Sequence, residues 1–236
     1  MNDIGIQKKS YTKVIDYIKE QIQTGALQIG SKLPAERELS ERLGISRNSV
    51  REAIRTLDIM GVISSQQGAG NYLIGNFENN LVESISMMFL LNKIDYNQIS
   101  QLRRGLEMQA IWLAIDHISD QEIEELKRII TLLEKQTEEN NIILDKKLHY
   151  TIAKASRNVL IFDILQALSD LLDKFIYDLR KEILSEEDSR ERLMKAHNDM
   201  VMSIVNRDKE LAYEAINNHF GTIDEKLKEY HTNSMK

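Results

Sequence analysis

The sequence predicts a mainly α protein in two parts: a small N-terminal domain with a short β-hairpin, then a larger all-α helical bundle. Three observations predict it. The 236 residues include only 10 Gly and a single Pro, Pro34, too few chain breakers for a protein of many short strands. Apolar residues recur at helical spacing along nearly the whole chain, interrupted once by "VISSQQGAGNYLIG" (62–75), where β-prone pieces flank a Gly-rich turn. The charge is also uneven. Residues 1–75 carry 10 Lys+Arg against 8 Asp+Glu, and the remainder carries 21 against 29, within a formal net charge of −6.

The elements follow in order. In "SYTKVIDYIKEQIQTG", Val14, Ile15, Ile18 and Ile22 have helical spacing, and Gly25 is the expected stop. Gly30 and Pro34 make the connection to a second helix. Its first turn holds Glu36 and Glu38, which suit the positive end of a helix dipole. Leu39 and Leu43 face inward there, and Gly44 ends it. Ser46 is a good N-cap for a third helix over roughly 47–60, with Ser49 close behind. That helix buries Val50, Ile54 and Leu57. Two short helices about a Gly-containing turn form a helix-turn-helix, and a hairpin of strands at 62–65 and 71–74 makes it a winged one. The expected domain is 1–75, with a polar linker at 76–80. From 81 to 232 amphipathic stretches near 81–92, 97–116, 120–137, 141–155, 159–181, 187–206 and 208–229 predict a bundle of six or seven helices.

Composition excludes several classes. There is no Cys, hence no disulfide framework and no thiolate chemistry. The longest apolar run, around "SMMFLLN" (86–92), is far below the roughly 20 residues of a membrane span. The start, "MNDIGIQKKSYTK", lacks an apolar signal core, so a cytoplasmic location with no membrane partner is expected.

Two groups of residues suggest chemistry. The second helix of a helix-turn-helix enters the major groove, and its first residues reach base edges. Here these are Ser46, Arg47, Asn48 and Ser49, with Arg51 one turn on and Arg37 at the start of the preceding helix. Arg pairs with guanine and Asn with adenine through two hydrogen bonds, while Ser hydroxyls and helix N-terminal amides suit phosphate. The alternative is that these residues only cap and solubilise a helix. In the bundle, Asp145 and His149 form D-x-x-x-H, which puts a carboxylate and an imidazole on one helical face. His197 and His219 lie on two further helices, so one Asp and three His could share a metal ion. The alternative is four satisfied core residues. His117, near a helix end, and His231, in a polar tail, are set aside.

The run "LPAERELSERLGISRNSVREAIRTLDIMGVISSQQGAGNYL" (33–73) resembles the N-terminal domain of GntR-family bacterial transcription regulators. The resemblance implies double-stranded operator DNA as partner. It implies operator contacts from the arginines of "PAER", "SR" and "VRE", here Arg37, Arg47 and Arg51, and a minor-groove contact at the wing-tip Gly68. Asn48 falls at a variable family position and would set sequence preference. The bundle resembles the ligand domain of the FadR-type branch, the FCD domain. "QLRRGLEMQAIWLA" matches its opening R-x-x-x-E helix, "LDKKLHYTIAKASRN" its D-x-x-x-H segment, and "AHNDMVMSIVNRDKELAYEAINNHF" its closing histidine helices. This resemblance implies a divalent metal (Zn, Ni or Mn) on Asp145, His149, His197 and His219. It also implies a small organic-acid effector clamped by Arg103, with Arg104 as the fallback.

The expected function is thus a homodimeric, ligand-responsive repressor rather than an enzyme. Asn158 reads as a helix cap rather than an effector contact. Two alternatives remain: a regulator for which the ion itself is the signal, and a metal-dependent hydrolase. For the hydrolase the sequence offers no clear general base beside the metal.

Overall fold

The structure, a computed structural model, describes residues 10–135 and 138–234. The chain divides into two compact units, residues 1–83 and 84–236. Residues 1–9, which include most of the segment read for a signal core, lie outside the described ones.

The first unit holds α1 (Thr12–Gln23), α2 (Glu36–Leu43) and α3 (Arg47–Ile59), then strands β1 (Ile63–Gln66) and β2 (Gly70–Leu73). Its core is Val14, Ile18, Leu39, Val50, Ile54 and Leu57, with Ile63 and Leu73 at the base of the hairpin. Each such side chain withdrawn from water contributes about 1.5–3 kcal/mol before the entropy of ordering it. The turn between α2 and α3 is short because Gly44 takes a left-handed φ of +62° and returns its N–H to Ser40 O. Ser40 Oγ also donates to Ile45 O at 2.6 Å. Ser46 then caps α3 by accepting from the Ser49 N–H at 3.1 Å.

The strands are displaced by one residue from those expected. Val62 bonds to Leu57 O and accepts from Ile74 N and Gly75 N, so it belongs to the helix–strand corner and β1 starts at Ile63. The pairing is antiparallel, Ile63 opposite Leu73 and Gln66 opposite Gly70. Gly61 makes the corner possible: its φ is +73°, and a Cβ there would lie 1.8 Å from Asn76 O. On the far side of β2 the segment around Lys32 adds bonds from Leu33 N to Asn71 O and from Leu73 N to Ser31 O. Asp58 accepts from the Ser65 N–H at 3.1 Å and ties the wing to α3.

The helix α4 (Glu78–Asn92) begins within the segment expected as linker and runs across the division between the units. It has no buried residue.

The second unit holds α5 (Tyr96–His117), α6 (Asp120–Leu133), α7 (Glu138–Ala155), α8 (Val159–Ser185), α9 (Glu187–Asn206) and α10 (Lys209–Ser234). Short connections make α6 and α7, α7 and α8, α8 and α9, and α9 and α10 neighbours, while α5 packs mainly against α7 and α10. Capping boxes open α5 (Asp95 with Gln98) and α6 (Ser119 with Glu122). Asn158 accepts from the Ile161 N–H at 3.2 Å to open α8. The α9–α10 corner turns on Arg207, at φ +57°, whose guanidinium donates to Ile115 O and Ile118 O and so satisfies the end of α5. The main core draws on α5, α6, α7, α9 and α10, with Ile111, Leu126, Leu148, Met200 and Phe220 among its fully enclosed side chains. Among the described residues no helix is long and apolar enough to cross a membrane.

The α7–α8 corner is clamped to α6 by Arg157, which donates to both oxygens of Glu122 at 2.8 and 2.6 Å. Those hydrogen bonds, aided by Ser119 and opposed by burial, lower the Glu122 carboxyl from 4.5 to about 2. A depressed carboxylate stabilises the fold above its unfolded pKa and loses that contribution as the pH falls through the folded one. Arg157 is 47 % exposed, so solvent screening keeps the contribution to about 1 kcal/mol. The stability difference between wild type and Glu122→Gln should therefore be present at neutral pH and close between pH 4.5 and 2. Thermal melts across that range check this, and a difference that ignores pH would refute it.

Candidate metal centre and DNA-binding surface

Asp145 and His149 sit one turn apart on α7, so both project from one face. The helix α9 brings His197 and α10 brings His219 to the same place. One ring nitrogen from each of His149, His197 and His219 lies within 4.8 Å of the others. The Asp145 carboxylate joins them, with Oδ1 at 2.9 Å from His197 Nε2 and Oδ2 at 3.7 Å from His149 Nε2. All four are buried, at 4 % (Asp145), 9 % (His149), 1 % (His197) and 0 % (His219) exposure. With metal–ligand bonds of about 2.1 Å, neighbouring donor atoms sit about 3.0–3.5 Å apart. The donor types and their convergence therefore fit a divalent ion. The four residues marked out in the sequence are brought together.

Glu107, which the sequence reading left without a role at this site, is at its edge. It lies on α5, is 5 % exposed, and places Oε2 at 2.7 Å from His149 Nδ1. Arg103, one turn earlier, donates from Nη2 to Glu107 Oε1 at 2.8 Å. Burial pushes the Glu107 carboxyl up, but the charges and hydrogen bonds of His149 and Arg103 outweigh it and hold the carboxyl at about 2. The R-x-x-x-E spacing was the available signal for the Arg103–Glu107 pair. Nothing in the sequence joined α5 to α7.

Both arginines proposed for the effector are engaged within the second unit. Arg103 holds Glu107, and Arg104 donates to Asp224, which also accepts from Ser100 Oγ at 2.8 Å. Each retains a buried Nε without a hydrogen-bond partner among the described residues. Both guanidinium groups lie over the Phe220 ring, at 6.0 and 5.6 Å. His117 is exposed, with Nδ1 at 2.8 Å from Leu113 O near the end of α5. The His231 side chain lies outside the described residues.

In the first unit Arg47 opens α3, and Arg47, Asn48 and Arg51 are exposed. Ser46 and Ser49 are joined through the cap, their hydroxyls 3.0 Å apart. Arg51 Nε lies 3.6 Å from Glu36 Oε2, which sets the start of α2 beside the first turns of α3. The neighbouring Arg37 is exposed and lies 3.5 Å from Glu41. Gly68 occupies the tip of the wing at φ +78°, open to solvent, with nothing near the position of a Cβ.

Two family models match this architecture. That for bacterial regulatory proteins of the gntR family covers residues 10–73, and that for the FCD domain covers residues 98–222. The chain belongs to the GntR family, in its FCD-bearing form. It is 26% identical over 212 residues to the HTH-type transcriptional regulator LutR of Bacillus subtilis (strain 168), covering 89% of this chain and 97% of LutR. It is 26% identical over 232 residues to the Uxu operon regulator of Haemophilus influenzae, covering 95% of this chain and 84% of that protein. The solved structure of Streptococcus agalactiae GntR superimposes with a TM-score of 0.59 at 19% identity, covering 92% of this chain and 97% of that one, a likeness of fold. As a GntR-family protein with an FCD domain the chain is a DNA-binding transcription regulator, not an enzyme.

Proposed function

We propose that this regulator is a repressor whose helical unit holds a divalent metal ion on Asp145, His149, His197 and His219, and that a small carboxylate bound beside the ion sets its affinity for operator DNA. One observation carries the reading: three buried imidazoles from three helices converge, and the buried Asp145 carboxylate lies against two of them. Three imidazoles and a carboxylate suit Zn, Ni or Mn, and in a six-coordinate ion they leave positions open. The ion would supply a positive centre that attracts carboxylate oxygens. Arg103 and Arg104 supply the unfilled Nε donors for the same effector. The repressor role is carried by the family resemblance.

On the DNA side, Arg47 and Asn48 reach base edges, Arg37, Arg51, Ser46 and Ser49 address phosphates, and Gly68 lets the wing approach the minor groove. Two copies of the chain place two recognition helices on the halves of a palindromic operator in the cytoplasm. The effector can shift DNA affinity only by as much as it distinguishes the two states of the protein.

A thermal-shift series tests this. Zn, Ni and Mn are added one at a time, and small organic acids are then added to the metal-loaded chain. We expect the melting temperature to rise with a metal, rise further with a subset of acids, and return to baseline on chelation. A rise with metal and with no acid would make the ion itself the signal. No rise with any metal would overturn the metal reading.

A further inference from the structure

We propose that Glu107 is a positioning residue that fixes His149 as its Nδ1–H tautomer, so that Nε2 carries its lone pair toward Asp145, His197 and His219, and that Arg103 holds Glu107 in place for this. The inference rests on the metal reading above, though its first measurement does not need a metal.

A neutral imidazole carries one N–H and one lone pair, and a metal takes the lone pair. An ionised carboxylate only accepts hydrogen bonds. Glu107 Oε2 lies 2.7 Å from His149 Nδ1, in ion-pair contact though not in line with a ring N–H, and a proton on Nδ1 is what makes so short a contact favourable. The other tautomer would set two lone pairs against each other at that distance. His149 Nε2 is then the free lone pair. It is buried, has no hydrogen-bond partner among the described residues, and lies 3.7 Å from Asp145 Oδ2. Glu107 is 5 % exposed, so bulk water is not at hand to replace it. Its second oxygen is occupied by Arg103 at 2.8 Å, and the Arg103 side chain is itself only 14 % exposed. Each carboxylate oxygen thus has one assignment, and the group has little freedom to turn. Groups that orient a metal-binding histidine in this way commonly change metal affinity by about 10- to 100-fold when removed.

The test uses the full chain with Co²⁺ as the probe. Removing Glu107 alone would leave Arg103 buried and unpaired, so the main variant replaces both with apolar groups of similar size, Arg103→Met with Glu107→Leu. A Glu107→Gln chain keeps an acceptor oxygen and serves as the conservative variant. In the metal-free chain at pH 9, long-range ¹H–¹⁵N spectra of the imidazoles should report the His149 proton on Nδ1 in wild type. In the double variant that preference should disappear. Co²⁺ affinity should fall about 10- to 100-fold in the double variant. It should fall only a few-fold in Glu107→Gln, because the acceptor persists. The Co²⁺ absorption bands should keep their position and intensity, because the ligand set is unchanged. Wild-type tautomer and affinity in the double variant would overturn the proposal. So would altered bands, which would make Glu107 a ligand, or a loss in Glu107→Gln as large as in the double variant. A wild-type chain that takes up no Co²⁺ would sink the metal reading, while the metal-free spectra would still decide the role of Glu107.

Discussion

An Arg47→Ala chain should bind its operator about 5- to 150-fold more weakly than wild type, the equivalent of one bidentate base contact worth about 1–3 kcal/mol. It should also discriminate less between the operator and a site altered at one base pair. The structure makes this a clean experiment. Arg47 is the first residue of α3, is exposed, and has no ion pair among the described residues. The start of α3 is held by Ser46 and Ser49, so removing the guanidinium leaves the helix capped. Stability should therefore change by no more than about 0.5 kcal/mol. Arg37→Ala and Arg51→Ala should behave differently. They would weaken binding to all sequences alike and lower the slope of log affinity against log salt by about one each. Arg51 must leave Glu36 to reach a phosphate, but the pair is exposed and 3.6 Å long, so leaving it costs little. Fluorescence anisotropy with operator and scrambled duplexes, at several salt concentrations, separates the two patterns. Unchanged affinity and selectivity in Arg47→Ala would remove that residue from the base-reading surface.

The second large effect is expected from His197→Ala. Metal binding to buried His- and Cys-rich sites amounts to about 10–16 kcal/mol near neutral pH. One ligand in four then accounts for about 3 kcal/mol, so affinity should fall more than about 100-fold. The readout follows from mass action. A metal at a hundred times its Kd stabilises the folded chain by about 2.7 kcal/mol. In a domain of this size that raises Tm by about 5–10 °C. The wild-type chain should show this rise and lose it with a chelator, while His197→Ala at the same metal concentration should rise by no more than about 1–2 °C. The metal-free variant is the proper baseline. His197 is 1 % exposed, and its truncation leaves a cavity that lowers stability by itself. An equal rise in both chains would show that His197 is not a ligand.

Much of this architecture could be read from residue order. The stop at Gly44 and the cap at Ser46 are local chemistry, set by a left-handed φ and a hydroxyl three residues from an amide. Both are where the sequence implied. Asp145 and His149 were visible as a pair because four residues make one helical turn. Features set by tertiary contact were harder to see. The hairpin begins one residue late because Val62 is taken by hydrogen bonds to Leu57, Ile74 and Gly75, an arrangement that β-propensity does not encode. The spacing of Arg103 and Glu107 showed that they could pair. It could not show that the far side of Glu107 would meet His149 across two helices. Arg104 found Asp224, 120 positions away, and no local pattern announces such a partner. The stretch 81–92 reads as an amphipathic helix of the bundle, yet none of the residues of α4 is buried. Burial depends on what lies opposite, and the sequence of one element does not contain that.

The order of elements along the chain also has a consequence for biosynthesis. The core of the winged head is drawn from residues 11–73, and the first compact unit closes at residue 83. The four candidate ligands span residues 145 to 219, and the last of them sits on α10. A nascent polypeptide therefore has every residue of the head before it has any of the four candidate ligands, and can bring those four together only after residue 219 has emerged. A chain truncated before α10 would keep the head while lacking His219, and under the proposed reading its DNA binding would no longer answer to the ion.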